Sequence, residues 1–163
     1  MREEATGKTG LPSERRNKPE RPRDLLGRPL DWGAENQLVL EDYDRLDMEE
    51  NHELARGHMR AGRYFPAHEA WETAWKQARE TADAEFFKGL SQMGAGYVHL
   101  LRGNAHGAVT LLRRASGRVA AYPDGHRGIP TAALHDRLEA DAAAIEAGHL
   151  VPGGDVIVEP PPV

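Results

Sequence analysis

The sequence predicts an all-α protein, a compact bundle of about five helices built from helical hairpins. Apolar residues recur at helical spacing in five successive segments between about residues 44 and 147, as is typical of amphipathic helices. Gly62 and Gly103 each separate two segments, and each is followed five residues later by an alanine. The chain of 163 residues is long enough for one domain of ordinary size, so we expect a single core.

The composition indicates that part of the chain lies outside this core. Hydrophobic residues make up 39% of the chain and the mean hydropathy is -0.66, both low for a fully packed globule. We expect a flexible arm with an extended anchoring segment over 1–41, the helical bundle over 42–149 and a short tail over 150–163. Glycines and prolines interrupt the polar arm up to about residue 24, and Trp32 is expected to anchor the segment that follows.

The first two helices are placed by their end signals. Asp44 or Asp47 can cap the first helix, which is expected to run to about Ala61, where Gly62 ends it. Its apolar side is broad and weak, so this helix could also contact a second copy of the chain in a homo-oligomer. The second helix is expected over about 65–79, with Pro66 tolerated in its first turn because the missing N–H costs little there.

The third helix, expected over about 82–101, is the central helix by pattern. Gly89 and Gly96 lie seven apart on one flank, and their cost in a helix indicates close approach by a neighbour. Asn104 is expected to cap the fourth helix, which runs to about Tyr122, and a fifth covers about 130–147. The apolar side of the third helix is made of Phe86, Leu90, Met93, Tyr97, Leu100 and Leu101.

The charge is unevenly distributed. Residues 1–30 carry a net charge of +3 and residues 31–163 a net charge of -8, within a total of -5. An acidic body is a poor partner for phosphate backbones, so nucleic acid is an unlikely partner that only the basic arm could bind.

Two features that the sequence lacks further restrict the class of protein. The chain has no cysteine, which excludes disulfides, thiolate zinc sites and a cysteine nucleophile. No apolar run approaches the roughly 18 residues of a membrane span, and the first 20 residues hold no apolar signal region. We therefore expect a cytoplasmic protein without membrane contact.

The sharpest chemical pattern is His68-Glu69-Ala70-Trp71-Glu72, which resembles the zinc-peptidase pattern H-E-x-x-H with Glu in place of the last His. His68 and Glu72 lie one helical turn apart and could bind one cation, while Glu69 could activate a water molecule. A third ligand would come from a polar stripe on the third helix. That stripe consists of Glu85, Gln92 and His99.

Three interpretations of this cluster stay open. His68 and Glu72 could form a structural pair, tied to Gln92 or His99, that fixes the register of two helices. They could instead line a small-molecule or peptide pocket, or hold a divalent metal with His99 as the third ligand. The walls of such a pocket would be Tyr64, Trp71, Trp75 and Tyr97.

Functionally, the sequence favours an interaction or ligand-binding module with an unknown protein or small-molecule partner. It contains no G-x-G-x-x-G, phosphate-loop or G-x-S-x-G motif. We therefore expect no cofactor, although the sequence is compatible with a bound divalent metal. A metal-dependent hydrolase that uses the H-E-x-x-E helix is the first alternative. A nucleic-acid accessory protein that binds through its arm is the second.

The segments GRYFPAHEAWETAW and FFKGLSQMGAGYVHLLRGNAHGAVTLLRRA together resemble the helical bacterial and archaeal family known as domain of unknown function 309. The family's H-E-x-W-E-x-x-W element falls on residues 68–75, its K-G-L-x-Q element on 88–92 and its R-G-N-x-x-G-A turn on 102–108. The resemblance covers about Met59 to Ala115 and the arm RPRDLLGRPLDWGAE. It implies an all-helical fold and a family without an established activity.

Overall fold

The computed structural model describes residues 19–163, and this range contains five α-helices and no β-strand. The predicted all-α class is therefore confirmed. Most of the predicted flexible part of the arm lies outside the described residues. The helices are α1 (Met48–Arg60), α2 (Tyr64–Gln77), α3 (Ala84–Leu101), α4 (Ala105–Val119) and α5 (Thr131–Glu146).

The starts of α1 and α4 follow from local chemistry. The Asp47 side chain accepts a hydrogen bond from the backbone N–H of Glu50 at 2.8 Å, which caps α1. The Asn104 side chain accepts from the N–H of Gly107 at 3.0 Å, which caps α4. Both caps satisfy N–H groups that would otherwise have no partner in the first helical turn.

The helix ends agree with the sequence except in α4. Gly62 and Gly103 adopt φ of 73° and 84°, a left-handed conformation that glycine reaches without strain and that reverses the chain. The α4 helix ends at Val119 instead of near Tyr122. The Tyr122 hydroxyl donates to the Ala82 carbonyl at 2.6 Å, so this side chain fastens the end of the α4 helix to the start of α3.

The extensive helix contacts within residues 19–163 join chain neighbours: α1 with α2, α2 with α3, α3 with α4 and α4 with α5. The α3 helix lies between α2 and α4, as the sequence predicted. A Cβ on Gly96 would lie 2.9 Å from Leu112 Cδ2, and a Cβ on Gly89 would lie 2.9 Å from Arg118 Cβ. The two glycines therefore allow the close packing of α4 on α3.

The first and last helices are joined through the α4–α5 loop and the tail. His52 Nε2 lies 2.9 Å from the carbonyl oxygen of Arg127, and Arg56 donates to the carbonyl of Gly128 at 3.2 Å. Arg60 donates to the backbone oxygen of Val163 at 2.6 Å. These contacts tie α1 to the segments on either side of α5.

The arm is anchored differently from the prediction. Trp32 was expected to be the anchor, but 64% of it is exposed, and its ring instead lies 5.9 Å from the Arg21 guanidinium carbon. Gly27 lies directly against the Phe65 ring on α2, with no room for a Cβ. Arg102 donates to the Leu26 carbonyl, and Leu38 is buried. A glycine contact, a main-chain acceptor and a leucine thus replace the indole as anchors.

The tail makes more contact than the sequence indicated. Only a short extended contact through Val156–Val158 was expected. Val156 and Val158 do pack against the core, but Pro161 and Val163 are buried as well, and the backbone N–H of Gly153 donates to the Leu100 carbonyl at 2.9 Å. The tail is therefore part of the packed structure.

Substitution of Gly96 by Ala is predicted to lower the free energy of unfolding. The added methyl would meet Leu112 on a packed helix, and overpacking of this kind costs about 1–3 kcal/mol, against a helix-propensity gain of up to about 1 kcal/mol. Gly57→Ala at an exposed position of α1 is the matched control, because a Cβ there meets nothing within 4 Å; this variant should have a higher free energy of unfolding. Urea denaturation of both variants checks this, and stabilisation by Gly96→Ala would contradict the close packing.

Candidate functional site

The site is organised around His68, which is 24% exposed on α2. Its Nδ1 lies 2.9 Å from the carbonyl oxygen of Ser91 and 3.0 Å from the Ser91 hydroxyl on α3. Because a carbonyl oxygen can only accept, Nδ1 carries the hydrogen and donates it. The ring can approach α3 this closely because residue 94 is glycine: a Cβ there would lie 3.0 Å from the His68 backbone nitrogen and Cα.

This hydrogen bond directs the other ring nitrogen towards a carboxylate. His68 Nε2 lies 3.4 Å from Glu72 Oε2, one turn along the same helix. In a neutral ring with the hydrogen on Nδ1, Nε2 has a lone pair, and a lone pair facing a carboxylate oxygen is repulsive. A second proton on the ring or a cation between the two groups removes this repulsion.

Glu69 completes a three-residue cluster, which we call the His68 cluster: His68, Glu69 and Glu72. One ligand atom from each lies within 4.8 Å of the other two, and all three side chains are partly buried. Donors at about 2.0–2.2 Å from one tetrahedral ion lie about 3.3–3.6 Å apart, so rotamer changes that bring the ligand atoms closer by up to about 1 Å would be needed to bind it. The donor types and spacing fit a divalent metal.

The predicted contribution of α3 to this cluster takes another form. Neither Glu85 nor His99 belongs to such a ligand group in the described chain. Glu85 and Gln92 both accept hydrogen bonds from Arg118 on α4, at 3.0 and 3.1 Å. His99 Nδ1 lies 3.0 Å from the side-chain nitrogen of Asn104. The residue of α3 that fixes His68 is therefore Ser91, instead of the expected Gln92 or His99.

The aromatic residues predicted as pocket walls mostly belong to the core. Trp71 and Tyr97 are fully buried and Tyr64 is 5% exposed. The rings of Tyr64 and Tyr97 stack with their centroids 5.1 Å apart. Trp75 is partly buried, and the Lys88 ammonium lies 5.3 Å from its ring centroid. The four rings support the elements that carry the cluster and do not border the groove next to it.

An open groove of about 910 Å³ lies between the arm and α2. Glu69 borders this groove and also belongs to the His68 cluster, so the cluster meets the groove through Glu69, while His68 and Glu72 are not part of the groove lining. Phe65 is the aromatic residue of α2 in the lining. The arm supplies Glu20, Arg21, Pro22, Arg23, Ala34, Asn36, Leu38, Val39 and Leu40.

Sequence reasoning missed a second polar site in the core. His52 on α1 is fully buried, and its Nδ1 accepts a hydrogen bond from Trp71 Nε1–H at 3.0 Å. Its Nε2 therefore carries the hydrogen and donates to the Arg127 carbonyl at 2.9 Å. Burial lowers the pKa of His52, and this outweighs the opposing effects of the Arg127 carbonyl and the Glu49 carboxylate. His52 is thus a neutral, fully bonded core residue.

Comparison with known proteins gives a match to a protein family. Residues 53–111 match the model of the family described as Domain of unknown function (DUF309), which confirms the resemblance and includes the whole His68 cluster. No curated protein and no solved structure matches the chain. In the described residues, no helix is long and apolar enough to cross a membrane.

The buried neutral His52 predicts a pH dependence of stability. The pKa of His52 is depressed in the folded state, so below about pH 6.5 the unfolded chain binds more protons than the folded chain. As the pH falls below this value, His52 therefore lowers the free energy of unfolding by up to about 1.4 kcal/mol per pH unit. Phe cannot titrate, so His52→Phe should flatten the fall in unfolding free energy between pH 7 and pH 5.

Urea denaturation at several pH values measures this slope. The His52→Phe variant will also lose about 1–3 kcal/mol at pH 7, because the Trp71 N–H and the Arg127 carbonyl lose their partner. His99→Gln is the control. Burial lowers the pKa of His99 too, but its ring is partly exposed, so this variant should keep most of the slope. If the pH dependence of the unfolding free energy were unchanged in His52→Phe, His52 would not be the neutral core residue described above.

Proposed function

We propose that the protein is a ligand-binding module that holds a divalent metal ion at the His68 cluster. One observation carries the proposal: the Ser91 carbonyl fixes the hydrogen on Nδ1 of His68, so that Nε2 faces the Glu72 carboxylate across 3.4 Å. A metal ion on Nε2 turns this repulsive pair into two ligands of one cation.

The surroundings of the cluster support the same proposal. Histidines that bind metals typically donate their other ring N–H to a carbonyl or carboxylate, which orients the ring, and His68 has this arrangement through Ser91. One imidazole and two carboxylates suit zinc, manganese or ferrous iron. Glu72 also contacts Lys76 at 3.6 Å, but that ammonium is 59% exposed, so solvent weakens its competition with a metal ion.

A metal-dependent hydrolase is the second candidate, and the position of Glu69 favours it. Glu69 lies within reach of the other two ligands and also borders the groove. There it could accept a proton from a water molecule that the metal polarises, while a substrate occupies the groove. In that case Glu69 is the base and only His68 and Glu72 remain as protein ligands in the described chain, one fewer than the three of catalytic zinc sites, so this candidate has less support than metal binding alone.

The nucleic-acid interpretation has less support. It depends on the basic arm, and residues 1–18 of that arm lie outside the described residues. If it holds, binding will weaken with rising salt and disappear when residues 1–30 are deleted.

Metal binding is tested by elemental analysis and by titration of Mn²⁺ and Zn²⁺ in a calorimeter. The native chain should bind about one ion per chain. His68→Gln with Glu72→Gln should weaken binding at least about 100-fold, because two of the three donors lose their affinity for the ion. Glu85→Gln is the matched control, since Glu85 contacts Arg118 on α4 and lies outside the cluster.

If no metal ion binds, a proton on His68 is the alternative that would pair this ring with Glu72. If the native chain binds neither ion, and the double variant is less stable by about 1–3 kcal/mol, then His68 and Glu72 form a structural ion pair. Equal metal binding by the native chain and the double variant would place the ion elsewhere. Either result rejects the proposal.

A further inference from the structure

The groove beside the His68 cluster has two cationic side chains on its arm wall. Arg21 Nε donates to the Leu30 carbonyl at 2.6 Å, and Arg23 Nη1 donates to the Gly27 carbonyl at 2.7 Å. Each guanidinium is thus held by one main-chain bond and keeps further N–H donors. In the part of the chain that the structure describes, neither arginine forms an ion pair with a carboxylate, whereas Arg28 on the same loop pairs with Asp24 at 2.7 Å.

The remaining groove lining is mostly apolar, with Asn36 as a neutral polar residue and two glutamates. Phe65 lies on the α2 side, and Val39 and Leu40 lie on the arm side, where they are 79% and 42% exposed. Glu20 and Glu69 offset the two arginines, so the lining has no net charge by itself. A divalent ion on the His68 cluster would engage the Glu69 carboxylate and give the groove an excess of positive charge.

We infer that the groove binds a small organic anion, a carboxylate or phosphate with an apolar body, and that it does so in the presence of the metal. The anionic group lies against the Arg21 and Arg23 guanidinium groups, which match the planar geometry of such oxyanions. The apolar body contacts Phe65, Val39 and Leu40, and the far end reaches the metal side of the groove. This inference rests on the proposed function because the metal supplies the excess positive charge.

The size and composition of the groove agree with this ligand class. A volume of about 910 Å³ is within the range of about 300–1,000 Å³ that small-molecule sites occupy, and such sites combine apolar walls with a few converging polar groups. A small cation would lack this complementarity, since two guanidinium groups and the metal would repel it.

The test measures binding of phenyl phosphate and benzoate in a calorimeter, with and without an equal concentration of Mn²⁺ in both solutions. Benzylamine, which has a similar apolar body and a positive charge, is the control ligand. The proteins are the native full chain, R21Q/R23Q, R21K/R23K and R28Q. Mn²⁺ binding alone is measured for each, because none of these arginines belongs to the His68 cluster.

The native chain should bind at least one of the two anions, more tightly with Mn²⁺ than without, and should not bind benzylamine. R21Q/R23Q should bind the anion at least about tenfold more weakly, and R28Q should match the native chain. R21K/R23K, which keeps the charges but not the planar guanidinium donors, should bind more tightly than R21Q/R23Q. Preference for benzoate or for phenyl phosphate identifies the anion class.

Two kinds of failure can be separated. Normal Mn²⁺ binding with equal anion affinity in the native chain and R21Q/R23Q overturns the anion site and leaves the metal proposal intact. Equal weakening in R21K/R23K and R21Q/R23Q would mean that the positive charges at these two positions do not hold the anion, and would also overturn it. Absence of Mn²⁺ binding in every protein rejects the proposed function itself.

Discussion

The close approach of α2 and α3 at Gly94 is the constraint on which the site depends. With any larger residue at position 94, a Cβ would lie only 3.0 Å from the His68 backbone, a distance that packed helices rarely accept. Because the two backbones meet there, the His68 ring can donate to the Ser91 carbonyl instead of turning to solvent. The orientation of Nε2, and with it the geometry of the His68 cluster, follows from a glycine on the neighbouring helix.

The sequence predicted those parts of the fold that local rules determine. Asp47 and Asn104 cap their helices as expected because capping depends on residues three positions apart. The close approach of a neighbouring helix at positions 89 and 96 was also predictable, since glycine destabilises a helix and is expected there only where a neighbour leaves no room for a side chain. Helical spacing alone placed His68 and Glu72 together, one turn apart on α2.

The sequence could not show which neighbour each polar side chain would meet. Glu85 and Gln92 do share one flank of α3, but Arg118 on α4 meets them. Ser91 lay outside the seven-residue stripe and makes its decisive contact through a main-chain carbonyl, which carries no signal in the sequence. His52 was not predicted to lie in the core because the buried side of α1 includes Asn51, His52 and His58, and an apolar periodicity omits polar core residues.

The connection between the ends of the bundle has a consequence for which residues the chain can exchange. Three contacts that join α1 to the α4–α5 loop and the tail are accepted by main-chain oxygens, of Arg127, Gly128 and Val163. A carbonyl is the same in every residue, so these hydrogen bonds depend on the path of the backbone and not on the side chains at the acceptor positions. Gly128 is the exception, because its φ is 79° and a Cβ there would meet Arg56. At position 128 the closure of the bundle therefore favours glycine, whereas at Val163 the hydrogen bond itself does not restrict the side chain, which is limited instead by its burial in the core.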